Sequence, residues 1–226
     1  MKSLQQDPFV LEDIFKGEKL YSLALSIFLL SGAYILEHLA NLYELEYSLR
    51  PTSNHVGDIV LDNLPVVDLN LIVIQGALFA IVFGVLFVIF LRPRYILFTL
   101  KAIALFIAIR AFFISLTHVG IYPGHVYPGP GVFSAIYTYL NFQTGFFFSG
   151  HTGMPFLMAL IFWREFRVRT AFLTMSFVFA VGVLFAHSHY SIDVFAAPFM
   201  AYGIFEIARY LFPRDYTLLS QAEKGA

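Results

Sequence analysis

The chain reads as an all-α, polytopic membrane protein: a bundle of six transmembrane helices with both termini on the cytoplasmic side. Three observations predict this. Hydrophobic residues make up 59% of the 226 and charged residues only 13%, about half the roughly 25% charge of a soluble domain. Six apolar runs reach or approach the ~20 residues that a hydrocarbon core requires in helix. Finally, threading those runs through a bilayer collects nearly all Lys and Arg on one side, as cytoplasmic loops do.

The first 19 residues mix acids, bases and apolar residues, so they do not read as a cleavable signal peptide. Asp7 followed by Pro8 is a helix start, with Val10, Leu11, Ile14 and Phe15 on one face. This predicts a short helix over 7–17 lying on the membrane surface, a frayed tail being the alternative. The predicted spans are 20–40, 69–91, 95–117, 146–163, 170–187 and 190–211, together forming one membrane domain over 20–212. Polar or turn-forming stretches separate them: 44–68, the Arg92-Pro93-Arg94 turn, the Gly/Pro-rich 118–131, 164–169 and a short break at Ser188. Residues 213–226 are expected to be a cytoplasmic tail. No internal repeat and no soluble domain is visible.

With both termini inside, only Arg50 and Arg110 of the 14 Lys and Arg lie on the outer side or within the membrane. Glu44, Glu46, Asp58, Asp62 and Asp68 then face outward with His55, His118 and His125. The net charge of -1, without a Lys/Arg block, argues against a nucleic-acid partner. The absence of cysteine removes disulfides, thiolate metal sites and thiol catalysis.

Two polar stretches interrupt the apolar pattern. Ser149-Gly150-His151-Thr152 opens the fourth span, and His189-Tyr190-Ser191-Ile192-Asp193 opens the sixth. In the predicted topology both lie at the outer membrane face. His189 and Asp193 are four residues apart and share a helical face. An acid one turn inside an apolar span costs several kcal/mol unless partnered, so Asp193 is a functional candidate. A carboxylate that fixes one imidazole nitrogen leaves the other a more basic nucleophile or proton acceptor. His151, brought from another helix, can serve as the opposing acid and base. Any single histidine at a helix end is more often an interfacial residue; the pairing at one depth, with an i+4 acid, favours catalysis. A metal centre is the weaker reading, because no third strong ligand has recognisable spacing.

The Ser-Gly-His motif followed by His-x-x-x-Asp resembles the signature of the type-2 phosphatidic acid phosphatase superfamily. The fuller strings SGHT and HYSIDV look like its sphingomyelin synthase branch. The resemblance implies a six-span, metal-independent lipid phosphatase or phosphotransferase that needs no cofactor, acting outside the cytoplasm on membrane phospholipids and lipid alcohols. It casts His189 as nucleophile, Asp193 as its partner and His151 as acid and base. Arg110 matches loosely an arginine in a third-helix motif of that branch and is a candidate substrate-binding residue, with Ser149 and Tyr190 beside it. Helix packing for Arg110 and helix capping for Ser149 are the structural alternatives. The segment 61–68 is a weaker echo of the branch's Pro-rich first outer loop.

Departures from the family pattern are informative. Val183 stands where the phosphatases carry an arginine before the second histidine, and their upstream Lys/Arg motif is missing. A phosphomonoester carries about -1.5 to -2 near neutral pH, whereas a phosphodiester carries a single charge. Fewer cations therefore favour a diester lipid. Gln143-Thr144-Gly145 replaces the Cys-Gly-Asp of eukaryotic synthases, which leaves head group and acceptor open. The expected reaction is transfer of a phosphocholine- or phosphoethanolamine-type head group to a ceramide-like alcohol. Hydrolysis at the same site, and a non-enzymatic transporter or scaffold, are the alternatives. Glu37 and His38 near the outer end of the first span, and Tyr122 and Tyr127 in the 118–131 loop, are secondary candidates for head-group contact or a lid. His187 is expected simply to end a helix.

Overall fold

The computed structural model describes residues 11–48, 50, 53–116, 118–139 and 146–220. Those residues form helices and loops, with no strand among them. Within the predicted surface helix, Leu11–Phe15 forms a 3-10 turn with Ile14 buried, and residues 7–10 lie outside the described part. Gln143-Thr144-Gly145 also lies outside it.

Helix α1 (Glu18–Ser48) runs well beyond the predicted span; at 1.5 Å per residue it extends about 46 Å, more than a ~30 Å hydrocarbon core. Most of its surface is exposed. Its buried positions Ser26, Ala33 and Ala40 recur every seventh residue and face α3 (Ile96–Leu116). Small side chains at that spacing let two helix backbones approach closely, and Ala40 packs there against Ala111 and Ile114. The second rod is α2 (Ala77–Leu86), continued at both ends by π-helical turns over Leu71–Gly76 and Phe87–Leu91. Pro93 then opens a 3-10 turn that leads directly into α3, where its fixed φ and missing N–H suit the first helical turn.

Beyond α3 the structure departs from expectation. A short α4 (Val132–Tyr139) follows the Gly/Pro-rich loop, with Val132, Phe133, Ile136 and Tyr139 exposed and Tyr137 buried. The predicted fourth span contains only α5 (Gly150–Ile161), 12 residues or about 18 Å. Five helical stretches, Glu18–Ser48, Leu71–Leu91, Pro93–Leu116, Phe166–Phe185 and Ser191–Leu211, are long and apolar enough to cross a membrane; α5 is not. The cause is local. Ser149 caps the helix, and Phe146–Phe148 ahead of it is non-helical, with Phe147 at φ 87°. Such backbone is tolerated at membrane depth where protein encloses it, and α5 is the most enclosed helix, packed chiefly on α6 (Phe166–Phe185) and α7 (Ser191–Leu211). Gly153 permits that fit: a Cβ there would lie 2.9 Å from the Phe106 ring of α3 and 3.5 Å from Ala197 of α7.

Helix α6 begins at Phe166, so Arg167 and Arg169 lie in its first turn rather than in a separator. The expected tail contains α8 (Pro213–Ser220), which folds back onto the bundle. The helices α1, α2, α3, α5, α6 and α7 run alternately between two ends. At one end Arg92 pairs with Glu165 at 2.6 Å. There too Lys101 of α3 pairs with Asp215 of α8 and donates to Ser22 Oγ at 2.6 Å, and that hydroxyl donates to Asp215 at 2.8 Å. Ile14 and Leu219 share this end's core with Tyr95 and Phe205.

The opposite end is built from loops. The Gly120 N–H donates to Asn54 O at 3.1 Å, Val67 N–H to Phe185 O at 2.8 Å, and Val126 N–H to Ala186 O at 3.0 Å. The connection between α6 and α7, which carries His189, is thereby held by both loops of this end, and His151 and Asp193 lie close to it.

Candidate active site

The turn that presents His189 is made by the end of α6. His187 takes φ 48°, its N–H donates to Leu184 O at 3.0 Å, and Ser188 N–H donates to Val183 O at 3.0 Å. This is the paired bonding of a left-handed helix terminus, with His187 where glycine is usual. His187 does end a helix, as expected. Its carbonyl also accepts from Nδ1 of His125 at 3.2 Å.

Two residues on, Tyr190 caps α7, and Asp193 Oδ2 accepts its backbone N–H at 3.1 Å. The same oxygen accepts from Nδ1 of His189 at 3.2 Å. Asp193 is thus both a helix-start acceptor and the group that fixes the His189 ring. With Nδ1 held as the donor, Nε2 carries the lone pair. Both side chains are buried, His189 with 7% of its surface exposed.

His151 comes from the first turn of α5. Its ring centroid lies 6.1 Å from that of His189, inclined at 66°. The two α-helical starts are joined through backbone, because Ser149 N–H donates to Asp193 O at 2.9 Å. Nε2 of His151 is 2.9 Å from the hydroxyl of Tyr137, a residue of α4, and Phe179 of α6 stands edge-on behind the ring. The predicted trio therefore meets in one place.

Arg110 reaches the same helix start from α3. Its Nε donates to Phe148 O at 3.2 Å, and a Cβ placed on Gly150 would be 3.6 Å from that nitrogen. Its Nη1 pairs with Glu37 of α1. Ser149 is fully buried, with Oγ accepting the Thr152 N–H at 3.4 Å, so it serves as a helix cap here. Tyr190 is a post between loops: its hydroxyl donates to Gly120 O at 2.7 Å and accepts from Val56 N–H at 3.2 Å. Gly120 has no room for a side chain, since a Cβ would lie 2.8 Å from the Asn54 backbone.

Asp58, read from the sequence only as an outward-facing acid, clamps the loop between α1 and α2 to α7. Oδ2 accepts the Ser191 N–H at 2.6 Å, and Oδ1 accepts the N–H groups of Val60 and Leu61. Burial alone would raise its pKa. The hydrogen bonds from Ser191, Leu61 and Val60 outweigh burial and hold the carboxyl below the ordinary range. A lowered folded-state pKa adds stability that is present above the unfolded value and lost as pH falls through the folded one. Protease cleavage of the 53–68 loop should therefore accelerate on acidification below the ordinary carboxylate range. In Asp58→Asn, cleavage should already be fast at neutral pH and lose that acid dependence; an unchanged profile would remove Asp58 from this role.

A cavity of about 300 Å³ opens beside the start of α7, lined by Asp58, Val119, Phe146, Phe147, Tyr190 and Asp193 among others. Tyr122 donates to Asp62 and packs edge-on against Tyr190, making it part of a fixed loop, while Tyr127 is exposed. Among the described residues no three His, Asp or Glu side chains gather at metal-binding spacing.

Sequence reasoning missed Tyr137, the Glu37 pairing and the Asp58 clamp. Tyr137 is one of 13 tyrosines in the chain, and nothing about its neighbours marks it. Glu37 carried a signal, being an acid in an apolar span, but its partner is 73 residues away.

Residues 144–210 match the family described as PAP2 superfamily C-terminal. No curated protein and no solved structure matches the chain. The matched stretch contains Ser149, His151, His189, Tyr190 and Asp193, and lacks Glu37, Arg110 and Tyr137. It supports a place in the type-2 phosphatidic acid phosphatase superfamily, whose members are lipid phosphatases or phosphotransferases, and it does not reach the sphingomyelin synthase-like branch.

Proposed function

We propose that this chain is a lipid phosphotransferase that carries a phospholipid head group through a phosphohistidine on His189. The observation that supports it best is the His189 ring, held by Asp193 and facing His151 across 6.1 Å. That separation leaves room for a phosphoryl group between the rings.

In the first displacement Nε2 of His189 attacks phosphorus. The bond from phosphorus to the diacylglycerol oxygen breaks, and that oxygen takes a proton from protonated His151. In the second, neutral His151 takes the proton of an incoming hydroxyl as its oxygen attacks phosphorus, and the P–N bond breaks. Asp193 fixes the nucleophile's tautomer, and Tyr137 holds His151 by its Nε2 until substrate arrives. Arg110, beside the start of α5, is placed to stabilise phosphoryl oxygens. Ceramide-like alcohols are the proposed acceptors and phosphocholine- or phosphoethanolamine-type groups the cargo. Ser149 and Tyr190 act by shaping the helix starts.

Incubating purified protein with phosphatidylcholine labelled in its head group, with and without ceramide, tests this. Label appearing in a new lipid only when ceramide is present is the expected result. Label released to water instead would make the protein a phosphohydrolase; no transfer and no release would sink the enzymatic reading.

The site is proposed to face the non-cytoplasmic side, with both termini cytoplasmic, because Arg92, Arg94, Arg164, Arg167 and Arg214 cluster at the opposite end. A Cys at exposed Ile59 should react with an impermeant thiol reagent from outside intact cells. Reaction only after permeabilisation would reverse the orientation.

A further inference from the structure

The charge of Arg110 is opposed inside the protein. Its pairing with Glu37 is enclosed, the two side chains being 10% and 12% exposed. The second carboxylate oxygen of Glu37, Oε2, is buried and accepts no hydrogen bond. Paired through Oε1 alone, the carboxylate has Arg110 as its counter-charge in a poorly polarisable setting, where the two charges act on each other strongly. The other basic residue of this end, Arg50, is exposed and pairs with Glu46 at 3.0 Å. Asp193 adds a further negative charge beside His189.

With Arg110 and Glu37 cancelling, the fixed charge beside the reacting histidines is set by Asp193, offset only when a histidine is protonated. A phosphodiester brings one negative charge into that environment, and a phosphomonoester brings up to two. Among the described residues the second charge finds no uncompensated cation, so its desolvation is poorly offset.

We propose that Glu37 is a specificity-determining residue: by opposing Arg110 it makes the site take singly charged phosphodiester lipids in preference to doubly charged phosphomonoester lipids. This rests on the reading that His151 and His189 turn over lipid phosphates. Glu37 acts through Arg110 and touches no reacting atom.

Glu37→Gln keeps the size and a hydrogen-bond acceptor for Arg110 while removing the charge. The measurement is kcat/KM for phosphatidylcholine and for phosphatidic acid, in full-length wild type and variant in the same vesicles. The ratio of phosphatidic acid to phosphatidylcholine should rise about tenfold or more in Glu37→Gln, chiefly through a lower KM for phosphatidic acid. A purely packing role would lower both values together and leave the ratio unchanged, which overturns the proposal. Glu37→Asp retains the charge but withdraws it by one methylene, so its ratio should be intermediate. If Glu37→Gln does not fold, that variant decides alone, and an unchanged ratio in it is a refutation. If wild type turns over neither lipid, the functional reading fails by itself. Equilibrium binding of the two lipids to wild type and Glu37→Gln then decides the charge question, no change in their relative affinity counting against it.

Discussion

Replacing His189 with alanine should reduce turnover by about 10⁴-fold or more while leaving the helical content intact, and His151→Ala should do nearly the same. The two losses differ in where the reaction stops. Without His189 there is no nucleophile, so no phosphorylated protein forms from any donor. Without His151 the nucleophile is intact, and a donor whose leaving group needs no proton, such as a nitrophenyl phosphodiester, should still label His189. Asp193→Asn should retain a rate about ten- to a hundredfold above the alanine variants, since an amide oxygen can still accept from Tyr190 and orient the ring without the charge. Tyr137→Phe removes one hydrogen bond to His151 and should cost about tenfold. Rapid-quench labelling and steady-state rates provide the measurements. Labelling that persists in His189→Ala would move the nucleophile elsewhere and undo the mechanism.

The largest stability loss is expected at the other end of the bundle. Lys101 and Asp215 are both buried, joined to each other and to Ser22. Lys101→Met should lower stability by about 3–5 kcal/mol, because it leaves a buried carboxylate with no counter-charge. The double variant Lys101→Met/Asp215→Leu should recover most of that loss, since an apolar pair of similar volume avoids desolvating two ions. Unfolding in mixed detergent micelles would compare all three proteins. A double variant as unstable as Lys101→Met would mean that α8 is held by the pair's geometry and that apolar packing cannot replace it.

The parts of this protein legible in its sequence were those where the membrane makes the rules. Long apolar runs announced five of the helices, because a single apolar segment satisfies its own backbone polar groups in lipid only as a helix. His151, His189 and Asp193 stood out for the same reason, as polar groups where polarity is costly. The shortness of α5 was hidden because the apolar residues on both sides of Ser149–Thr152 were read as one span over 146–163, although Ser149 supplied a capping signal at the true start. Helices α4 and α8 have eight residues each, too few for a periodic pattern to rise above its surroundings. Asp58 lies in a polar loop, where an acid is unremarkable, and only the fold shows that it is spent on the first amide of α7. Arg110 was visible as a cation well inside the third predicted span. Its pairing with Glu37 depends on how α1 and α3 lie together, which hydropathy does not encode.

The described loops at this end are fastened to the α6–α7 connection and to one another at 54–120, 56–190, 58–191, 67–185, 120–190 and 126–186. A cover sewn at so many points resists the lifting of any one of those loops. On the proposed function, entry of a membrane lipid would fall instead to the flank, where α1 leans mainly on α3 and most of its surface is exposed. Selection would then start before any contact with the histidines. A lipid dissolved in the bilayer would, on the proposed function, arrive sideways and already oriented. On that reading, water-soluble phosphate esters would have to approach from the fastened side.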